Sequence, residues 1–275
     1  MSRRRTISIS HLSHSMRVPY LLKALARIWE AQGFRIEIGP GYSANADVCI
    51  LHHDRTRLEA SALPLPSSGV PVVNGRALDI SKRVYSTLRL GRRDDWTGPV
   101  IVKTNDNFFG DPERGGHRPG WLGRARKKLA RHSWRLAGML PPQTYPILES
   151  VERVPGWVWD DPDLIVERFL PEREGDLYAI RGWVFFGDKG FGYRLLAREP
   201  IVKAGSMVGR EWLDETPEDI RAYRDELGID FGKFDYVVHD GRAILLDANK
   251  TPVVAGKGDS PNLRMLAQGI GGYFQ

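Results

Sequence analysis

The residues best suited to chemistry lie near the C-terminus, in the run Lys233-Phe234-Asp235-Tyr236-Val237-Val238-His239-Asp240-Gly241-Arg242-Ala243-Ile244-Leu245-Leu246-Asp247-Ala248-Asn249. Two alternating apolar stretches flank Asp240-Gly241, a turn pair, so the run reads as a β-hairpin. Register decides what it can do, because a one-residue slip sends every side chain to the other face. A two-residue turn sets Asp235 opposite Leu246 and turns Asp247 away. A three-residue loop over 240–242 sets Asp235 opposite Asp247, with Asn249 two residues along on the same face. In that second register the two carboxylates repel across the strands, and a divalent cation removes the cost. Two Asp and one Asn make an all-oxygen set suited to Mg²⁺, which keeps waters and accepts phosphate oxygens as further ligands. The competing reading is an exposed hairpin with ordinary surface acids.

Other residues could serve a phosphate. The apolar run 99–104 ends in Lys103-Thr104 and passes directly into Asn105-Asp106-Asn107-Phe108-Phe109-Gly110-Asp111-Pro112, followed by Gly115-Gly116 and Pro119-Gly120. A lysine ending a buried strand before a glycine-containing loop combines a point charge with free backbone N–H groups, although the spacing is not that of a Walker A loop. Arg181 and Arg194 fall on the two strands of a hairpin that turns at 187–190, either a carboxylate clamp or a surface pair. His52-His53-Asp54 follows a strand end, where parallel sheets bind ligands, or is a plain exit into a loop.

These residues need a scaffold, and 275 residues suffice for a real core and two or three subdomains. Strands at 6–10, 34–38, 46–51 and 70–73, with a helix over 16–32 closed by Gly33, read as a small parallel α/β unit. A basic helix spans 121–140, with Leu122, Ala125, Leu129, Leu136 and Leu140 as its apolar stripe and Arg124, Lys128, Arg131 and Arg135 as its basic one. Strands follow at 163–171, 178–186 and 193–196. A helix over 216–227 has Thr216 as N-cap and Pro217 at N1. The hairpin comes next, and a short helix near 262–268 ends the chain.

The formal charge is +6, and between Arg114 and Leu148 there are eight Lys or Arg and no Asp or Glu, so the rest of the chain is slightly acidic. That basic face is either solvated or a landing site for an anionic macromolecule. The lone Cys49 sits in an apolar run and forms no internal disulfide. Without a signal-like or membrane-spanning apolar run, no membrane partner is expected and the cytoplasm is the expected compartment.

The ordered set of a strand-terminal lysine, a glycine-rich loop, a strand ending Glu167-Arg168-Phe169-Leu170, two strand arginines and a final Asp…Asp-x-Asn hairpin resembles the ATP-grasp superfamily, over roughly residues 74–252. The resemblance implies an α/β (α+β) chain with an ATP-grasp fold behind an N-terminal Rossmann-like α/β unit. The expected parts are an N-terminal domain at 1–76, a small subdomain at 77–166 and a C-terminal subdomain at 167–275. It implies that Lys103 and Lys82 contact the phosphates of ATP, that the loop 107–120 containing Gly110 closes over them, and that Glu167 with the backbone of Phe169 and Leu170 meets the adenine. Glu174, with Glu172 as competitor, would hold the ribose. Asp235, Asp247 and Asn249 would ligate two Mg²⁺ ions, and Lys233 would meet the transferred phosphoryl group. Asp247 stands where many relatives have Glu, Lys233 where an arginine is common, and the basic helix has no counterpart in the general pattern.

The activity implied is an ATP-dependent carboxylate-amine ligase working through an acyl phosphate, with Arg181 and Arg194 holding the carboxylate. The alternatives are a nucleotide-binding assembly protein without ligase activity, or a ligase whose tRNA or peptide substrate is held by the basic helix.

Overall fold

The computed structural model describes residues 3–12, 16, 18–113, 120–203, 205–253 and 260–274. The chain packs into two compact units, one formed by Met1–Ile80 with Glu172–Gln275 and the other by Ser81–Pro171.

The chain begins with β1 (Thr6–Ser10), α1 (Leu21–Ala31), β2 (Arg35–Gly39), β3 (Val48–Leu51) and β4 (Val72–Val73). These strands form a parallel sheet in the order β2-β1-β3-β4. All of β1 and β3 is buried; β3 reads as a continuous apolar run, whereas β1 alternates Ile with Thr and Ser and buries its small polar residues as well.

The second unit contains α2 (Lys82–Tyr85), β5 (Val100–Thr104), α3 (Trp121–His132), α4 (Trp134–Ala137), β6 (Ile147–Leu148), α5 (Gly156–Asp160) and β7 (Leu164–Arg168). Its antiparallel sheet, β6-β5-β7, packs on Val151, Val154 and Val158. The single basic helix expected over 121–140 is two helices broken at Ser133, and Ala130 is the one residue of α3 that is buried. Of the expected apolar stripe, Leu140 packs against this unit's core, while Leu122, Leu129 and Leu136 stay exposed.

The chain then returns to the first unit with β8 (Glu172–Glu174), β9 (Leu177–Phe186), β10 (Lys189–Ala197), β11 (Met207–Leu213), α6 (Glu218–Leu227), β12 (Phe231–His239), β13 (Arg242–Asn249) and α7 (Pro261–Gln268). The large antiparallel sheet runs β11-β10-β9-β12-β13, with β8 also on β9. Helix α6 starts one residue later than its sequence suggests: Pro217 is the N-cap, and the Thr216 carbonyl accepts from Arg221 Nε.

One core joins the two ends of the chain. Leu22, Leu25 and Trp29 of α1 pack with Phe186, Phe231, Leu263 and Leu266, and Trp29 Nε1 donates to the Ala267 carbonyl at 2.8 Å. Each such fully buried apolar side chain contributes about 1.5–3 kcal/mol, so the large sheet is held rigidly against the parallel sheet that precedes it in sequence.

Candidate functional site

In the second unit, antiparallel pairing sets Ile101 opposite Glu167 and Lys103 opposite Ile165. Lys103 and Glu167 are thus diagonal neighbours on one face, and Lys103 Nζ meets Glu167 Oε2 at 2.7 Å. Lys82, buried at the start of α2, donates from Nζ to Asn107 Oδ1 at 3.1 Å. Phe108, Phe109 and Gly110 have φ of 47°, 57° and 70°. A left-handed conformation suits Gly110 but strains two phenylalanines, and the Phe109 ring settles on Tyr145 at 4.6 Å. Residues 114–119 of the expected phosphate loop lie outside the described residues. The Phe169 N–H donates to the Pro99 carbonyl at 2.9 Å, so that N–H is already engaged within the unit.

The C-terminal hairpin reaches its carboxylate register by a route different from both sequence alternatives. Its turn has two residues, Asp240 at φ 49° and Gly241 at φ 75°, with His239 opposite Arg242. Two successive left-handed residues match the type I′ turn favoured by strand twist. The register then shifts: Tyr236 faces Leu245, whereas Asp235 faces Asp247. Leu246 is the extra residue of a β-bulge, and it returns Asp247 to the side of Asp235. The expected three-residue loop is absent, yet the carboxylates still meet.

Lys233 lies opposite Asn249, so Lys233, Asp235, Asp247 and Asn249 share one face. Lys233 Nζ meets Asp235 Oδ2 at 2.8 Å. Burial and the charge of Asp247 raise the Asp235 pKa, with Lys233 opposing. Burial pulls the Lys233 ammonium down, but Asp235, Tyr193 and Asp247 outweigh it and hold its pKa above the ordinary value. On the neighbouring strand Gly182 stands opposite Asp235, and Tyr193 stands opposite Gly182. A Cβ at Gly182 would be 2.3 Å from Tyr193 Cζ, so only glycine lets the tyrosine lie across the strand beside the acids. Burial, then the charge of Asp235, raises the Tyr193 pKa against the pull of Lys233.

Asn249 is held from behind. Its Oδ1 accepts from the Thr251 N–H at 2.8 Å, Thr251 Oγ1 donates to Asp54 Oδ1 at 2.8 Å, and Tyr20 Oη donates to Asp54 Oδ2 at 2.8 Å. The set of two carboxylates and an oriented amide oxygen fits a hard cation such as Mg²⁺. It is not a closed protein cage: among the described residues, no three His, Cys, Asp or Glu group as metal ligands.

Arg181 and Arg194 are not part of this face. Arg181 pairs with Tyr236, whereas Asp235 pairs with Gly182, and successive strand residues point to opposite sides. Both guanidiniums hold Glu172. Arg181 Nε donates to its Oε2 and Arg194 Nε to its Oε1, each at 2.9 Å, and the Val238 N–H adds a bond to Oε2 at 2.8 Å. Burial works to raise the Glu172 pKa, but the Arg181 hydrogen bond, the Val238 N–H and the two positive charges overcome it and hold the carboxyl below its usual range. Glu172 is therefore fully engaged, while the more exposed Glu174 accepts from Arg194 Nη1. Among the arginines that register places on the carboxylate face, Arg210 on β11 is opposite Leu195, next to Tyr193, whereas Arg173 stacks on Tyr178 at 4.7 Å and Arg242 sits at the hairpin turn. A cleft of about 650 Å³ lined by Trp183, Asp214, Arg221 and Asp225 contains none of the expected site residues.

His52 directly follows the interior strand β3, fully buried, stacked on His11 at 5.7 Å and edge-on to Tyr20 at 4.8 Å. Neither ring nitrogen has a hydrogen-bond partner in a neighbouring residue. Burial, reinforced by His11, pushes its pKa down to about 3. Burial also lowers His53 to about 4, and its Nε2 meets Ser10 Oγ at 2.9 Å.

Sequence reasoning missed Gly182, Tyr193 and Thr251, and it singled out Asp54 beside His52 and His53 without connecting it to Asn249. The Gly–Tyr pairing left a trace only once strands β9 and β10 were registered. Asp54 and Thr251 are 197 residues apart, so their contact carries no local signal.

No protein-family model and no curated protein matches the chain. Solved structures do. The macrocyclase MdnC from Microcystis aeruginosa, bound with precursor peptide MdnA, is 9% identical with a TM-score of 0.51, and the match covers 96% of this chain and 98% of that one. The ATP-grasp ligase PsnB, complexed with a minimal precursor, is 10% identical with a TM-score of 0.50, and the match covers 90% of each chain. A RimK domain ATP-grasp protein from Sphaerobacter thermophilus is 14% identical with a TM-score of 0.47, covering 96% of this chain and 99% of that one. The chain has the ATP-grasp fold, in a mixed α/β architecture.

Proposed function

We propose that this protein is an ATP- and Mg²⁺-dependent ligase that activates a carboxylate as an acyl phosphate and passes it to an amine or other nucleophile. The single observation that carries the reading is the Asp235–Asp247 pair, set face to face by the Leu246 bulge with Lys233 and Asn249 beside it, on an ATP-grasp fold.

Asp235, Asp247 and Asn249 would hold the magnesium, which when bound supplies charge neutralisation at phosphate oxygens. Lys233, kept protonated by its acidic neighbours, stabilises negative charge on the phosphoryl group in flight. Lys103 and Lys82 serve the phosphates as point charges, with Gly110 in the adjoining loop. A triphosphate draws Lys103 off Glu167, freeing that carboxylate for the adenine amino group beside the backbone of Phe169 and Leu170. Glu174, opposite Leu177 and bonded to Arg194, lies on the side away from the acids and is not given the ribose.

Arg210 replaces Arg181 and Arg194 as the group that grips the substrate carboxylate, because it lies on the carboxylate face and the other two do not. The precursor peptide bound to MdnC and the minimal precursor bound to PsnB make a peptide carboxylate the first acid to try. Cytoplasmic location accords with such chemistry.

The test is to incubate the protein with ATP, Mg²⁺, hydroxylamine and candidate acids, and to follow hydroxamate and ADP. Asp247→Ala should abolish both products while leaving the fold intact. Full turnover in that variant removes the metal assignment. Nucleotide-dependent thermal stabilisation without ADP release against any acid would mark a nucleotide-binding protein that does no ligation.

A further inference from the structure

Helix α3 carries an apolar stripe that the fold leaves in solvent. Helical spacing puts Trp121, Leu122, Ala125 and Leu129 along one side, and the three large residues are 72%, 65% and 45% exposed. Leu136 on α4 is 82% exposed.

The opposite side anchors the pair. Ala130 and Ala137 are buried, Arg126 donates to the carbonyls of Ala137 and Gly138 at 2.7 and 2.5 Å, and Trp134 packs edge-on against Trp157 at 5.8 Å. The outward side of α3 also bears Arg124, Lys127, Lys128 and Arg131, all exposed, and no Asp or Glu occurs between residues 120 and 148.

We propose that α3 and α4 dock this protein onto an anionic lipid surface. Exposed Trp and Leu beside a purely basic face is the chemistry of a helix lying in a membrane interface: the apolar side enters the acyl boundary and the cations meet the headgroups. A nucleic acid would satisfy the cations through its phosphates but leave the exposed Leu residues without a partner. The docking is peripheral, since no helix among the described residues is long and apolar enough to cross a membrane. It revises the expectation of no membrane partner drawn from hydropathy alone.

The experiment is flotation of the full chain, without nucleotide, on phosphatidylcholine vesicles with and without phosphatidylserine. The chain should float with the anionic vesicles only. Leu122→Ser with Leu136→Ser should abolish flotation, and so should Arg124→Glu with Arg131→Glu. Each removed charge lowers partitioning about fivefold. These residues are exposed, so the variants should keep the wild-type melting temperature. Brominated acyl chains should quench wild-type fluorescence more than that of Trp121→Phe. No flotation overturns the proposal. So does flotation that the charge reversals abolish and the serine pair leaves untouched, which would mean adsorption of a plain basic face. Binding to an acidic polypeptide that needs Leu122 and Leu136, without vesicle binding, assigns the surface to a protein partner instead and equally overturns it.

Discussion

Acidification should destabilise the first unit through two histidines, by an amount that follows from their burial. His52 and His53 are held neutral in the fold, with pKa values near 3 and 4, whereas in the unfolded chain each titrates at about 6.5. A base whose folded pKa is lowered contributes its full stability above the unfolded value and loses it as pH falls below about 6.5 towards the folded value. At about pH 5 the unfolded histidines are almost fully protonated and the folded ones are not. At about 1.4 kcal/mol per pH unit, each costs about 2 kcal/mol relative to neutral pH. That figure is insensitive to the folded pKa as long as it stays well below 5.

Together the pair removes about 4 kcal/mol, which for a unit of this size lowers Tm by about 8–16 °C. The assay is thermal unfolding at neutral pH and near pH 5 for the wild type and for His52→Leu, which should show about half the Tm drop. Because both ring nitrogens lack neighbouring partners, His52→Leu should also be neutral or stabilising at neutral pH. An identical pH-dependent drop in wild type and variant would refute the reasoning, as would a His52 NMR titration near 6.5.

Two further perturbations separate scaffold from chemistry. Glu172→Ala leaves Arg181 and Arg194 directly opposed across β9 and β10 without their shared acid, and should cost about 3 kcal/mol in denaturant unfolding. Arg181→Met should lower stability too while leaving the kcat for hydroxamate formation near wild type; a selective loss of kcat would return Arg181 to the reacting groups. Gly182→Ala should cost about 1–3 kcal/mol through its clash with Tyr193, and the added change Tyr193→Ala should recover most of it in a double-mutant cycle. No recovery would show that Tyr193 does not lie over Gly182.

Sequence by itself determined what depends on local pattern. Strands β1 and β2 appeared as alternating runs and β3 as a buried apolar one, α1 as a helical period, and Asp240-Gly241 as a turn, because each is encoded within a few residues. The order of lysine, loop, glutamate and paired acids, spread from Lys103 to Asn249, pointed to the ATP-grasp fold only through its resemblance to that superfamily.

What only the tertiary structure decided is which face each side chain occupies and what covers it. A single bulge at Leu246 brought Asp247 opposite Asp235, and bulges follow from strain in a twisted sheet that no short window records. Pairing between β9 and β12 sent Arg181 to the side away from the acids, a consequence of register between segments distant in sequence. Exposure of the α3 stripe was equally invisible, since amphipathic spacing shows that a helix has an apolar side but not whether the rest of the chain covers it.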